Sequence, residues 1–468
     1  AISASIPPLM TTSVLYWILK IAQGLLGVLA IWAALNLRTP LLAGVRADLL
    51  WLLPLGILGV LLIDTPRLWR RSKLNTLKSA SRWLILGLCS VSLTIFVSRE
   101  ISFYLTKAHV LQQDVSQLNR LGQHIVVGYR DVETVKTLIE KDAIGGVFIT
   151  LRNIEGKSAD TIRAEIASLQ ALRSQRGLPP LWIATDQEGG IVSRLSPPLP
   201  QLPALAEWIS SAQTASERQQ LAQDYGDQQG QGLADLGVNL NFAPVVDLNK
   251  GIVNPDDRFS VIYRRAISAD KAVVTEVAQT YCAALAAQSV RCTLKHFPGL
   301  GRLETDTHLA SAHLDTPIAE LAEDDWVPFQ QIMQQSDAFT MLGHPVLTAV
   351  DPQHPASFSD AVVNQILRQQ WRHEGILITD DFSMGAVFKS ADGVAGAVVK
   401  ALQSGIDLIL ISFDTDLYYS AMAALIEAEQ QQLITPEQLN ASRDRLQQNY
   451  ASLIKPTQSK NPPSSQAG

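Results

Sequence analysis

The chain has 468 residues, of which 47% are hydrophobic and only 18% are charged. Soluble domains average about 25% charged residues, so this composition excludes a disordered chain and a small disulfide-built protein and argues against a purely soluble one. Residues 1–98 hold nine basic and two acidic residues, whereas the other 370 hold 29 basic and 42 acidic ones, so the chain contains two chemically different regions.

Three apolar runs lie in the first region: Ser13–Leu37, Leu49–Ile63 and Trp83–Ser98. The first is long enough to span a bilayer, which takes about 20 residues, and the other two are near the lower limit. Trp51 and Trp83 lie where membrane interfaces concentrate tryptophan. We therefore expect a membrane anchor over residues 1–110, with three transmembrane helices at about 13–37, 47–64 and 82–99.

A cluster of six basic residues separates the second run from the third: Arg67, Arg70, Arg71, Lys73, Lys78 and Arg82. Only Arg38 and Arg46 lie between the first two runs. Short basic loops stay in the cytoplasm, so the third helix is expected to cross outward and to leave the remaining chain outside the cytoplasm. With only two spans, the predicted orientation reverses.

From about residue 120, β-rich runs alternate with helical patterns. Eight runs are predicted strands: His124–Gly128, Gly146–Thr150, Leu181–Thr185, Asn239–Phe242, Cys292–Lys295, Phe339–Leu342, Ile376–Thr379 and Leu408–Ser412. Predicted helices between them include Ser158–Arg173, Ser216–Leu236, Ala269–Ala287, Ile318–Gln335, Ala361–Arg372 and Gly393–Ser404. This alternation predicts an α/β fold, a (β/α)₈ TIM-type barrel over residues 115–454. A doubly wound sheet is the alternative, but no Gly-rich phosphate loop follows the first strand. The polar tail, residues 455–468, is expected to be disordered.

Polar residues follow several predicted strands at the point where each strand ends. They include Asp186, Arg194, Asp247, Lys295, His296, Asp306, His308, His344 and Asp380. Chemistry in such barrels takes place at the carboxyl ends of the strands, so these residues are predicted to share one rim. A single aspartate after a strand is often only a helix N-cap, and the prediction therefore depends on the whole group. A carboxylate facing a separate acid/base group suits glycoside cleavage.

Several kinds of site are not expected. The chain has no histidine pair at helical spacing and no Cys/His cluster, so we expect no metal and no other cofactor. It has no G-x-S-x-G motif. The acidic second region makes nucleic acid an unsuitable partner. Cys282 and Cys292 are expected to be buried free thiols.

The second region resembles the single-barrel bacterial β-N-acetylhexosaminidases of glycoside hydrolase family 3. Five segments carry the resemblance, in order over about residues 115–440: LWIATDQEGGIVSRL (181–195), NLNFAPVVDLN (239–249), KHFPGLGRLETDTH (295–308), MLGHPVLTAVD (341–351) and ILITDDFSMGA (376–386). The resemblance implies a retaining exo-hydrolase. Its substrate would be a terminal β-linked N-acetylglucosaminide of peptidoglycan-derived material or chitooligosaccharides.

The resemblance also implies residue roles. Asp380 aligns with the nucleophile, His308 with the general acid/base, and Asp306 with the partner of that histidine. The positions implied to bind the sugar are Asp186, Arg194, Arg265, Lys295 and His296. Asp247 is expected either to orient Lys295 or to cap a helix, and His344 is a further candidate.

Four positions depart from the family pattern. Ile191 replaces an arginine, and Leu300, Arg302 and Leu303 replace the last His, Asp and Thr of K-H-F-P-G-H-G-D-T. The catalytic spacing is kept, but the anchoring of the loop is in doubt. A β-glucosidase or phosphorylase of the same family and a non-catalytic sugar-binding barrel remain alternatives. The expected location is the bacterial inner membrane, with membrane lipid around the helices and the barrel outside the cytoplasm.

Overall fold

The computed structural model of the chain describes residues 8–69 and 76–454. The chain divides into two compact units, Ala1–His109 and Val110–Gly468. Part of the predicted basic cluster (Arg70, Arg71 and Lys73) and the tail at 455–468 lie outside the described residues.

Three long helices form the first unit: α1 (Pro8–Asn36), α2 (Arg46–Trp69) and α3 (Thr76–Leu111). Each contains a segment long and apolar enough to cross a membrane, at Val14–Asn36, Arg46–Ile63 and Thr76–Leu111. Helix α3 has 36 residues and extends beyond the predicted 82–99 at both ends. Its length of about 54 Å, at 1.5 Å per residue, exceeds a hydrocarbon core of about 30 Å.

Two contacts within the first unit pair polar side chains with each other. Lys20 is buried, and its Nζ donates a hydrogen bond to Oε1 of Gln23 at 2.8 Å. Arg38 forms an ion pair with Glu100, 62 residues further along the chain. Both contacts satisfy groups that would be costly to leave unpaired in an apolar setting.

Eight short parallel strands form the sheet of the second unit: β1 (Ile125–Gly128), β2 (Gly146–Phe148), β3 (Trp182–Thr185), β4 (Leu240–Asn241), β5 (Thr293–Phe297), β6 (Phe339–Leu342), β7 (Leu377–Asp381) and β8 (Leu408–Ile411). The order is β4-β3-β2-β1-β8-β7-β6-β5. Isolated parallel bridges, Leu240 with Arg291 and Val245 with Lys295, join the two edge strands. All eight predicted strands are therefore present, in a nearly closed parallel barrel.

Helices connect these strands: α4 (Val115–Gly122), α5 (Val132–Glu140), α6 (Leu151–Ile154), α7 (Ala159–Gln175), α8 (Leu205–Trp208), α9 (Ala215–Leu236), α10 (Ile262–Arg265), α11 (Lys271–Ala287), α12 (Ile318–Glu323), α13 (Trp326–Gln335), a π-helix (Ala361–Gln370), α14 (Gly385–Phe388), α15 (Gly393–Ser404), α16 (Leu417–Gln430) and α17 (Pro436–Ile454). Their ends follow local sequence signals. Helix α9 starts with a capping box of Thr214 and Glu217 and stops at Gly237, whose φ is +89°.

The predicted helix Ile318–Gln335 is divided into α12 and α13 at Asp324 and Asp325. Pro328 is tolerated only in the first turn of a helix, so an unbroken helix across it is unfavourable. Both aspartates also accept hydrogen bonds from Arg302, which fixes the break.

Cys282 and Cys292 form a disulfide, so the expectation of two free thiols is wrong. Cys282 lies on α11, and Cys292 directly precedes β5. Helix α11 returns beside β5 after a short loop and brings the two Cα atoms to 5.3 Å.

The core lies inside the barrel, where alternate strand residues point inward. Val126, Phe148, Trp182 and Phe339 belong to it and are buried. Tyr450 of α17 stacks on Trp182, the first residue of β3, with 4.4 Å between ring centroids. Helix α17 thus closes the amino end of the barrel and leaves the carboxyl ends of the strands for the loops.

Candidate active site

Two charged side chains converge on Glu188, which follows β3. Lys295, at the end of β5, places Nζ 2.5 Å from Oε1 of Glu188 and 2.7 Å from Oδ1 of Asp186. Arg265 donates two hydrogen bonds to the Glu188 carboxylate, at 2.7 and 2.9 Å. The side chains of Glu188, Lys295 and Arg265 are all less than one tenth exposed. The structure thus brings together three of the predicted sugar-binding residues.

The sequence predicts no role for Glu188 itself, although Glu188 lies inside the DQEGG segment (186–190). Burial raises the pKa of Glu188, but the charges and hydrogen bonds of Arg265 and Lys295 outweigh it and lower the pKa to about 2. Gly189, with φ +94°, allows a close approach to Tyr225, whose hydroxyl donates to the Glu188 carbonyl at 2.9 Å. A side chain at Gly189 would collide with that hydroxyl.

Asp247 has neither of its two predicted roles. It is fully buried, and its carboxylate accepts hydrogen bonds from His296 Nδ1 at 2.8 Å and from the backbone N–H of Leu300 at 2.7 Å. It therefore orients His296 rather than Lys295. With Nδ1 donating to Asp247, Nε2 is the ring nitrogen of His296 that remains for a ligand.

The predicted dyad is formed on the loop after β5. His308 Nδ1 lies 2.7 Å from Oδ1 of Asp306, and the His308 side chain is 38% exposed. Burial raises the pKa of Asp306, but the hydrogen bonds and charge of His308, with a hydrogen bond from Ser260, outweigh it and lower the pKa to about 2. Asp306 is therefore an anion that holds Nδ1 and leaves Nε2 of His308 for proton exchange.

Asp380 and Asp381 end β7 and differ in their surroundings. Asp381 accepts hydrogen bonds from Ser412 and Ser383, so its carboxylate holds neighbouring loops. Asp380 accepts only the Asp381 N–H, at 2.8 Å, among hydrogen bonds within the described residues. Burial raises the pKa of Asp380, but His296, His344 and His308 outweigh it and hold the pKa below its usual value. Asp380 is therefore the ionised carboxylate available to a ligand.

His344 is fully buried, and burial lowers its pKa. Its Nε2 donates to the Asp381 carbonyl at 3.1 Å, and its Nδ1 lies 2.8 Å from the Ser357 hydroxyl. Both ring nitrogens thus have partners, and His344 links the end of β7 to Ser357.

Arg194 and Ile191 remain exposed on the loop after β3. The backbone N–H of Arg194 donates to the Asp186 carbonyl at 3.0 Å. Among the described residues Arg194 has no ion pair, in contrast to the buried Lys295 and Arg265.

The substituted loop after β5 has its own anchors. Arg302 contacts three carboxylates, those of Asp325 at 2.7 Å, Asp324 at 2.8 Å and Glu320 at 2.5 Å. Leu300 is buried in a small apolar cluster with Ile262. Leu300 and Arg302 therefore attach this loop to α10, to α12 and to the break between α12 and α13.

One rim of a parallel barrel therefore carries an ionised carboxylate, a separate His–Asp pair and buried polar residues. These are the parts of a glycoside hydrolase. Comparison with known proteins gives the family: residues 111–448 match the family described as Glycosyl hydrolase family 3 N terminal domain. The chain belongs to this family and is a glycoside hydrolase.

Two curated relatives and one solved structure illustrate the similarity. Beta-hexosaminidase LpqI of Mycobacterium tuberculosis is 32% identical over 301 residues, which are 63% of this chain and 73% of that protein. A beta-hexosaminidase of Pseudomonas aeruginosa is 33% identical over 290 residues, 62% of this chain and 81% of that protein. A family 3 beta-N-acetylglucosaminidase structure from Paenibacillus matches with a TM-score of 0.66 and 28% identity. That match covers 74% of this chain and 64%, less than two thirds, of the Paenibacillus chain.

Proposed function

We propose that this chain is a retaining β-N-acetylhexosaminidase that removes terminal β-linked N-acetylglucosamine from peptidoglycan-derived or chitooligosaccharide substrates. The observation that carries the proposal is the presence at one rim of an ionised Asp380 and the Asp306–His308 pair. The names of the relatives support the choice of sugar, because they describe beta-hexosaminidases and a beta-N-acetylglucosaminidase.

In the first step, a carboxylate oxygen of Asp380 attacks C1 of the sugar. The bond between C1 and the glycosidic oxygen breaks, and that oxygen takes a proton from His308 Nε2, so the aglycone leaves as an alcohol. Asp306 accepts the Nδ1–H of the imidazolium, so the Nε2 proton faces the leaving group. The product is a glycosyl ester of Asp380.

In the second step, neutral His308 removes a proton from water, and the water oxygen attacks C1. The ester bond to Asp380 breaks and regenerates its carboxylate. Two displacements at C1 retain the configuration of the sugar. Throughout both steps Asp306 stays ionised, because its pKa of about 2 lies far below neutrality.

The sugar is held by the polar residues around this centre. Asp186, Lys295, His296 and the exposed Arg194 are the proposed contacts to sugar hydroxyls and the N-acetyl group. Arg265 is proposed as a further sugar contact, although its two hydrogen bonds to Glu188 also make it a support for Lys295. The paired charges supply directional donors and acceptors for a neutral sugar without leaving an uncompensated buried charge.

Substitution of the reactive groups tests this function in the full chain, purified in detergent, with an aryl β-N-acetylglucosaminide. We expect Asp380→Ala to lower kcat by about 10⁴-fold or more and His308→Ala by about 10²- to 10⁴-fold. Asp160→Ala, at an 89% exposed carboxylate on α7, is the matched control and should leave kcat unchanged. Wild-type turnover in both reactive-site variants would refute the assignment.

Three further measurements separate the alternatives. A mechanism-based fluorosugar should label Asp380, whereas a non-catalytic barrel would not react. Phosphate should leave the products unchanged; release of the sugar 1-phosphate would indicate a phosphorylase, since a neutral histidine base does not repel an anion. Comparable rates on an aryl β-glucoside would indicate a β-glucosidase.

We also infer that residues 1–110 anchor the enzyme in a membrane by three spans and that the barrel lies outside the cytoplasm. Many large apolar side chains in these helices are exposed, for example Leu25 at 66%, Trp51 at 74% and Leu84 at 64%, and lipid would remove them from water. The Cys282–Cys292 disulfide supports an oxidising compartment. A periplasmic reporter fused after residue 110 should be active, and cytoplasmic activity at that position would overturn the topology.

The strand order and the closing bridges between β4 and β5 support a (β/α)₈ barrel of the TIM type over residues 115–454. In this barrel the sugar site occupies the carboxyl rim, and α17 covers the opposite end.

A further inference from the structure

The second part of the loop between β4 and α10, residues 249–261, contacts the catalytic dyad directly. The backbone N–H of Phe259 donates to Oδ2 of Asp306 at 3.2 Å, and the Ser260 hydroxyl donates to Oδ1 at 3.0 Å. Asp257 fixes this end of the loop by accepting the N–H groups of Ser260 at 2.9 Å and Val261 at 2.7 Å. A segment for which the sequence predicts no role therefore supplies two donors to the dyad.

Ser260 and His308 share one oxygen of the dyad. Oδ1 of Asp306 accepts the Ser260 hydroxyl and His308 Nδ1, and both Ser260 and Asp306 are less than one tenth exposed. A buried carboxylate that loses one donor reorients or shifts to recover its hydrogen bonds. Because the imidazole is fixed through that same oxygen, its direction depends on Ser260.

The Phe259 ring lies beside the acid/base group. Its centroid is 5.4 Å from that of the His308 imidazole, with a tilt of 40° between planes. The side chain is 53% exposed, and Leu309, directly after His308, is 45% exposed. An exposed aromatic face next to a proton donor is suited to the apolar C–H face of a pyranose ring. The leaving group departs at this proton donor.

We propose that Phe259 and Ser260 complete the acid/base apparatus. Ser260 is a positioning residue that holds the Asp306 carboxylate, and thereby His308, in line with the leaving oxygen. Phe259 is the platform on which a second pyranose ring, the aglycone sugar, packs. The inference rests on the proposed function of His308 and deepens it, because it specifies a saccharide aglycone over a small alkyl one.

The positioning role is tested by the dependence on the leaving group. For Ser260→Ala in the full chain, we expect kcat/KM to fall about tenfold on the methyl β-N-acetylglucosaminide, which needs acid assistance. On the dinitrophenyl glycoside, whose leaving group needs no proton, kcat/KM should change less than about twofold. Ser260→Thr restores the hydroxyl and should restore the rate.

Ser442→Ala is the matched control. Ser442 is also buried, and its hydroxyl donates to a buried carboxylate, that of Asp407, at 2.8 Å. Asp407, however, lies at the amino end of β8. We expect it to lower stability without any dependence on the leaving group. If Ser260→Ala lowers kcat/KM equally on both glycosides, the positioning role is overturned.

The platform is tested with Phe259→Ala on two substrates. We expect about a tenfold lower kcat/KM on N,N′-diacetylchitobiose and little change on the methyl glycoside, with wild-type values for Phe259→Tyr. Val253→Ala, at a 60% exposed position of the same loop, should leave both values unchanged. If Phe259→Ala lowers kcat/KM equally on both substrates, or on neither, the platform role of Phe259 is overturned.

His308→Ala in the same assays separates this inference from the proposed function. If His308→Ala lowers kcat/KM equally on methyl and dinitrophenyl glycosides, the acid/base role fails and the loop inference falls with it. The opposite case is a His308→Ala variant whose loss of kcat/KM depends on the leaving group. If Ser260→Ala and Phe259→Ala then fail their own tests, only the loop inference is overturned.

Discussion

Two carboxylates at the rim have a pKa near 2 for different reasons. Glu188 is ionised because two buried cations, Lys295 and Arg265, surround it. Asp306 is ionised because His308 and Ser260 donate hydrogen bonds to it, and His308 is 38% exposed. The Glu188 site is closed and electrostatically balanced, whereas the Asp306 site opens to solvent through the imidazole. We propose that rigid binding and proton exchange occupy these two different parts of one rim.

The largest effect is expected when the closed site loses its carboxylate. Glu188→Ala leaves Lys295 and Arg265 buried with an excess of positive charge, at a cost of about 3–5 kcal/mol. The melting temperature of the full chain should fall by about 10 °C. His308→Ala, in the open site, should change it by less than about 2 °C. Equal shifts in the two variants would remove the distinction between the sites.

A smaller effect is expected on the loss of stability at low pH. The pKa values of Glu188 and Asp306 are lower in the folded chain than in unfolded chains, where carboxyl groups titrate near about 4. Their stabilisation is therefore present above about pH 4.5 and is lost as the pH falls toward about 2. Glu188→Gln should show a flatter loss over this range, measured as melting temperature against pH. A curve parallel to that of the unaltered chain would contradict the low pKa of Glu188.

The smallest effect is expected at the anchor of the dyad loop. Arg302 is 20% exposed, so its three ion pairs are partly screened and should contribute about 1 kcal/mol. Arg302→Ala should lower kcat/KM by about two- to fivefold and speed proteolytic cleavage of residues 299–311. An unchanged cleavage rate would show that Leu300 and its apolar neighbours anchor the loop without Arg302.

Local pattern was sufficient for the strands and for most helices. All eight predicted strands are present, since buried parallel strands appear as short apolar runs between turn residues. The division at Asp324 combines a local signal, Pro328, with a contact to Arg302, which is 22 residues away in sequence and has no local signal. The disulfide was missed because Cys282 and Cys292 meet only when α11 packs beside β5.

In the site, the sequence predicted the spacing of Asp306 and His308, and the structure joins these two residues at 2.7 Å. It predicted His308 as the partner of Asp306. It did not predict that His296 contacts Asp247, that Arg265 contacts Glu188 or that Ser260 contacts Asp306. Each of these three contacts joins different strands, helices or loops, with partners 46 to 77 residues apart in sequence. No local motif encodes such a contact.

The sequence by itself determined the chemistry of this protein: two regions of opposite charge, eight strands, and the residue types and spacing of the dyad. Local propensity and hydrophobic periodicity act over a few residues, so they can be recognised in the sequence without knowledge of the fold. The tertiary structure alone decided which charges neutralise each other, which carboxylate is left available, and that Ser260 and Phe259 lie against Asp306 and His308. Those outcomes depend on burial and on distances between loops, which exist only after the barrel closes.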